Sequence, residues 1–108
     1  MNDENKAGPY SIGSDRWPGL SKLTEESGEL LQVIGKILAT NGERQHWDGA
    51  DLQERFEEEL ADVIAAIRFV MMANSFDIGR INERAERKFS QFLKWHEEQK
   101  RKGVKFIP

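Results

Sequence analysis

The chain has 108 residues, 16 basic and 19 acidic, with a formal net charge of −3; this fits one domain with a modest core and argues against non-specific nucleic-acid binding. There is no cysteine, and the two histidines, His46 and His96, stand far apart, which excludes a disulfide frame or thiolate site and disfavours a histidine-rich zinc site. The longest apolar run, Val63 to Ala73, is broken by Arg68 and too short for a bilayer, and the polar start Met-Asn-Asp-Glu-Asn-Lys lacks a signal-peptide core, so a cytoplasmic protein with no membrane partner is expected.

Residues 1–16 are polar, carry Gly8, Pro9 and Gly13, and read as an N-terminal arm. A first helix is predicted from about Pro18, a residue suited to a first turn, to Thr40, with Asn41-Gly42 as its stop. Residues 41–50 read as a loop. Asp51 with Glu54 makes a capping-box-like start for a second helix ending near Asn74. Asp77 could cap a third, running to about Arg101 with Gly103 just beyond. The helical domain is thus placed at 17–102, with a tail at 103–108. No stretch has a convincing period of two, and no repeat is visible. The expectation is an all-α antiparallel bundle of about three main helices per chain. The second half of helix two is apolar nearly all round, from Ala65 to Ala73, which needs more neighbours than three helices supply. A bundle completed by oligomerisation follows, as a homodimer or a dimer of dimers.

Four carboxylates stand out: Glu26 with Glu29, and Glu59 with Asp62. Each pair is spaced i, i+3, which places its members on one helix face. With Leu20 as zero and about 100° per residue, Glu26 falls at about 240°, inside an apolar arc from about 220° to about 20°, and Glu29 falls at its border at about 180°. With Phe56 as zero, Glu59 lies at about 300°, between Ala66 and Val70, and Asp62 at about 240°, between Phe69 and Ala73. Single acids on helices are usually solvated rim charges. Two acidic pairs intruding on two apolar faces are harder to explain that way, because buried carboxylates need a partner. Carboxylate oxygens are hard ligands, so the fitting cations are Mg²⁺ or Mn²⁺, and Mg²⁺ habitually takes phosphate oxygens as further ligands.

Lys22-Leu23-Thr24-Glu25-Glu26-Ser27-Gly28-Glu29-Leu30, followed by Glu58-Glu59-Leu60-Ala61-Asp62-Val63, resembles the MazG-like all-α nucleoside triphosphate pyrophosphohydrolases. The likeness extends over roughly Trp17 to Trp95. It implies that Glu26, Glu29, Glu59 and Asp62 bind Mg²⁺. It also implies that water attacks a nucleoside triphosphate, releasing a nucleoside monophosphate and pyrophosphate, and that the chain forms a homo-oligomer. The interval between the two pairs is long for the family, with the surplus in the loop at 41–50. Glu29, Glu25 and Glu58 are the candidate catalytic bases, and the residues leave that choice open.

On the third helix, Lys88 lies beside the apolar side between Trp95 and Ile81, where it could reach a phosphate or simply snorkel. Asn82, between Ile78 and Leu93, could reach a sugar, phosphate or base edge, or make a packing hydrogen bond. A Lys-Phe pair such as Lys88-Phe89 also resembles one late in MazG-like domains. Lys22 could neutralise phosphate, or pair with Glu26 four residues on. Trp17 could stack on a base or serve as a hydrophobic staple before Pro18; Trp47 is a second stacking candidate. Arg68 could pair with an acid across a subunit interface. Three other readings stand beside the main one: a phosphoribosyl-ATP pyrophosphohydrolase, a catalytically silent helical dimer that binds nucleotide or protein, and a di-iron bundle, which the lack of Glu-x-x-His pairs disfavours.

Overall fold

The computed structural model describes residues 16–43 and 51–105. The proposed arm apart from Arg16, the loop residues His46 and Trp47, and the last three residues lie outside the described part. Among the described residues the chain is all-α, with three helices: α1 (Leu20–Ala39), α2 (Leu52–Ala73) and α3 (Ile78–Arg101). They form two compact units, one ending at Ser75 and the other starting at Phe76.

The helix ends follow local chemistry. The Asp51 carboxylate accepts the Glu54 backbone N–H at 3.0 Å and starts α2; Asp77 does the same for Arg80 at the start of α3, also at 3.0 Å. At the end of α1, Asn41 and Gly42 take positive φ, and the Gly42 N–H donates to the Ile37 carbonyl at 2.8 Å while Asn41 donates to Leu38 at 3.2 Å. This doubly bonded stop satisfies carbonyls that a helix end otherwise leaves open. Gly103, at φ 88°, closes α3 in the same way, with Val104 donating to Gln99 at 3.0 Å.

The start of α1 differs from the reading at Pro18. The helix begins at Leu20, because Gly19 sits at φ 91° with its Cα pressed against α2. A Cβ there would meet Phe69 at 2.7 Å and Val70 at 2.9 Å. The same turn is held by Asn74, whose side-chain amide donates to the Pro18 carbonyl at 3.0 Å and to the Val70 carbonyl at 2.8 Å. The start of α1 therefore packs on the end of α2, which makes the hairpin antiparallel.

The α1–α2 core is thin. Val33, Leu52 and Ala66 are its buried apolar side chains among the described residues. Leu20, Leu31 and Leu38 on α1, and Leu60, Ile64 and Ile67 on α2, are exposed, with Leu31 at 66% and Leu38 at 72%. On each helix this exposed stripe lies roughly 110–120° round from the residues that face the other helix. Because the helices run in opposite directions, both stripes fall on the same side of the hairpin. In the second unit, α3 has Phe89, Phe92, Leu93 and Trp95 exposed, with the Phe92 and Trp95 rings 5.9 Å apart.

Candidate metal centre

The hairpin brings the two acidic pairs together. Each of Glu26, Glu29, Glu59 and Asp62 offers one carboxylate oxygen, and the four oxygens lie within 4.8 Å of one another. Helical spacing puts the members of each pair on one face. Antiparallel packing then sets the α1 face against the α2 face. Asp62 is exposed and the other three are half-buried, so the cluster is open at the Asp62 side.

Its electrostatics are unfavourable as it stands. Glu26 Oε2 and Glu59 Oε2 are both shielded from solvent and have no hydrogen-bond partner. A shielded oxygen without a partner is unfavourable. Burial raises the Glu26 carboxyl above its ordinary value of 4.5, and the neighbouring charges of Glu29, Asp62 and Glu25 push it the same way, against a weaker pull from Lys22. Glu59 is raised for the same reasons, burial first and then Glu29 and Asp62, with Arg55 opposing. The basic side chains nearby do not fill the gap. The Lys22 ammonium donates to Glu25 Oε2 at 3.0 Å rather than to Glu26, and its own pKa is raised mainly by that contact.

A divalent cation fits these groups. Opposite ligands of an octahedral Mg²⁺ stand about 4.2 Å apart, so the observed spread needs only small rotamer adjustments. The two orphaned oxygens would gain the partner they lack. The donor set is all carboxylate, which suits Mg²⁺, Mn²⁺ or another hard ion rather than a soft one.

Beside the cluster lies a cavity of about 310 Å³ lined by Lys22, Glu26, Asp62, Ala65, Ala66 and Phe69. Its lining combines a cation and two acids with an aromatic ring and two alanines. Phe69 had no place among the sequence candidates, although helical geometry sets its direction only about 20° from that of Asp62. The remaining candidates are not among the four converging acids. Glu25 is one helical step away and engaged with Lys22. Glu58 is exposed on α2. Trp17 is exposed next to the Pro18–Gly19 turn, at φ 54°. Lys88 and Asn82 are exposed on α3, in the second unit.

No protein-family model, curated protein or solved structure matches the chain. Its described residues form three helices and no strand, with an acidic cluster able to hold a metal ion. None of its described helices is long and apolar enough to cross a membrane.

Proposed function

We propose that the chain is an Mg²⁺-dependent nucleotide pyrophosphohydrolase of MazG-like type, cleaving a nucleoside or deoxynucleoside triphosphate to the monophosphate and pyrophosphate as part of cytoplasmic nucleotide-pool house-cleaning. The observation that carries this reading is the convergence of four carboxylate oxygens, with two shielded and unpartnered oxygens among the same side chains, beside a cavity whose lining includes a lysine and a phenylalanine. Glu26, Glu29, Glu59 and Asp62 would hold Mg²⁺, with Mn²⁺ a substitute. The bound ion would neutralise phosphate charge and polarise phosphoryl oxygens.

The chain's own groups divide the remaining work. Glu26 and Glu59, with their shielded oxygens, form the floor of the site. The exposed Asp62 marks the side from which phosphate and water arrive. Glu29 needs only one oxygen for the cluster and is our choice to take the proton from the attacking water with the other. Glu25 already accepts a hydrogen bond from Lys22, and Glu58 is exposed to solvent, so both are weaker candidates. Lys22 lines the cavity and can lend its charge to a phosphate. Phe69, beside Ala65 and Ala66, offers a flat apolar wall for a nucleobase. Lys88, Asn82 and Trp17 stay as further substrate contacts in this reading.

A second copy completes the fold in this reading. The apolar stripes of α1 and α2 share one side of the hairpin, and two hairpins packed on those sides would make a four-helix core. The test is a panel of nucleoside and deoxynucleoside triphosphates with Mg²⁺, assayed for pyrophosphate. Glu59→Gln should abolish release while leaving the helical circular dichroism intact. Near-normal turnover by that variant, or no pyrophosphate from any nucleotide with the wild type, overturns the reading.

A further inference from the structure

Three asparagines lie in the described residues, and their settings differ. Asn74 has its side-chain amide tied to the Pro18 and Val70 carbonyls and its backbone extended. Asn82 sits inside α3 and precedes Glu83. Asn41 is exposed at the end of α1, holds φ 57°, and precedes Gly42, which has open space around it. An asparagine followed by glycine is the pairing most prone to attack on its own side chain. Glycine carries no Cβ to shield its nitrogen and leaves the backbone free to swing into the reacting geometry. Against this stands one contact: the Gly42 N–H, which must give up its proton, donates to the Ile37 carbonyl at 2.8 Å. That carbonyl also accepts the Thr40 hydroxyl at 3.0 Å, so the acceptor of the stop is shared.

We propose that Asn41 is a site of spontaneous covalent modification, gated by the α1 stop. When the stop opens, the Gly42 nitrogen, its proton lost to base, attacks Cγ of Asn41. The new C–N bond closes a succinimide ring; the Cγ–Nδ2 bond breaks, and the side-chain nitrogen takes up a proton and leaves as ammonia. Water then opens the ring at either carbonyl. One product is an aspartate; the other is an isoaspartyl linkage, in which the main chain runs through the former side chain. The reaction needs no enzyme, oxidant or metal, and it stands independently of the function proposed above. Either product disturbs the stop. An aspartate adds negative charge where the helix dipole is already negative, and the isoaspartyl form lengthens the backbone between Ile37 and Gly42 by one carbon. Helix ends are among the parts of a fold that open most readily, so the gate lies at the low-stability end of the molecule.

Incubation of the full chain for weeks in mildly alkaline buffer, followed by peptide mass mapping, tests the site. Asn41 should convert first, ahead of Asn74 and Asn82, and electron-transfer fragmentation should show the isoaspartyl form among the products. Asn41→Gln, whose longer side chain closes a ring far more slowly, should remove that conversion with its helical circular dichroism unchanged. Opening the stop loses about one net hydrogen bond, so unfolding in urea should speed conversion of the wild type by about tenfold. The converted fraction, separated by its added charge, should melt below the unconverted protein. Conversion of Asn74 or Asn82 ahead of Asn41, or none at Asn41 in the folded wild type, overturns the proposal whatever the variant does. Equal rates with and without urea overturn the gate, and equal melting overturns the weakening of the stop.

Discussion

Glu26 and Glu59 hold their protons more tightly in the folded chain than free carboxyls do, because burial and neighbouring acids disfavour the charged form. The folded state therefore binds more protons than the unfolded one between the ordinary value of 4.5 and the raised values. Over that window stability falls as pH rises, and above it the penalty is fully present. Thermal melts in EDTA should show this contribution as a higher Tm near pH 5 than near pH 7. Glu26→Gln, which keeps the shape and removes the charge, should raise the metal-free Tm at neutral pH, flatten the pH slope and abolish stabilisation by Mg²⁺. An unchanged slope in that variant would show that the acid does not feel its neighbours. The four acids were legible in the sequence because helical spacing and apolar context are local properties. Phe69 was read only as a neighbour of Asp62 on the apolar side, because an aromatic on an apolar helix is ordinary core until a cavity is found beside it. The engagement of Lys22 with Glu25 rather than Glu26 turned on a choice between two neighbouring partners that spacing alone leaves open.

The three helices were readable almost to the residue where an end is decided by its own side chains. Asp51 and Asp77 cap by accepting nearby N–H groups, and Asn41, Gly42 and Gly103 stop helices by adopting positive φ. The start of α1 was misjudged at Pro18 because the deciding contact is remote: Gly19 turns left-handed where the chain is pressed against Phe69 and Val70, fifty or so positions away. Only a residue without a Cβ fits there. Gly19→Ala combines a strained backbone with a clash and should cost about 1–3 kcal/mol, read from urea unfolding midpoints. A cost near zero would mean that the α1 entry is loose in solution. Gly28, with open space around it, is the matching control: alanine there should be neutral or slightly stabilising.

At the scale of the whole molecule, the buried apolar side chains found in the described residues, Val33, Leu52 and Ala66, make a small core for a chain of this length. The apolar breadth of helix two pointed to a partner without a direction; the pairing of α1 with α2 leaves exposed leucines and isoleucines on one side of the hairpin. Sedimentation of the wild type should give a dimer or larger, with a Tm that rises with protein concentration. Leu31→Glu, placing a charge at a 66% exposed position of the stripe, should yield monomers of much lower stability. A wild-type monomer whose Tm is independent of concentration would rule out this use of the apolar side. The Asn74 hydrogen bond to Pro18 bears on the metal centre from a distance. It joins positions 56 residues apart, so chain and hydrogen bond together close a loop around the hairpin, opposite the α1–α2 connection. A helix that slides by one turn moves about 5.4 Å, enough to carry Glu26 and Glu29 out of step with Glu59 and Asp62. The amide at the far end thus acts as a stop that keeps the two acidic pairs in register, so the spacing of the four carboxylates is set partly by a residue outside the cluster.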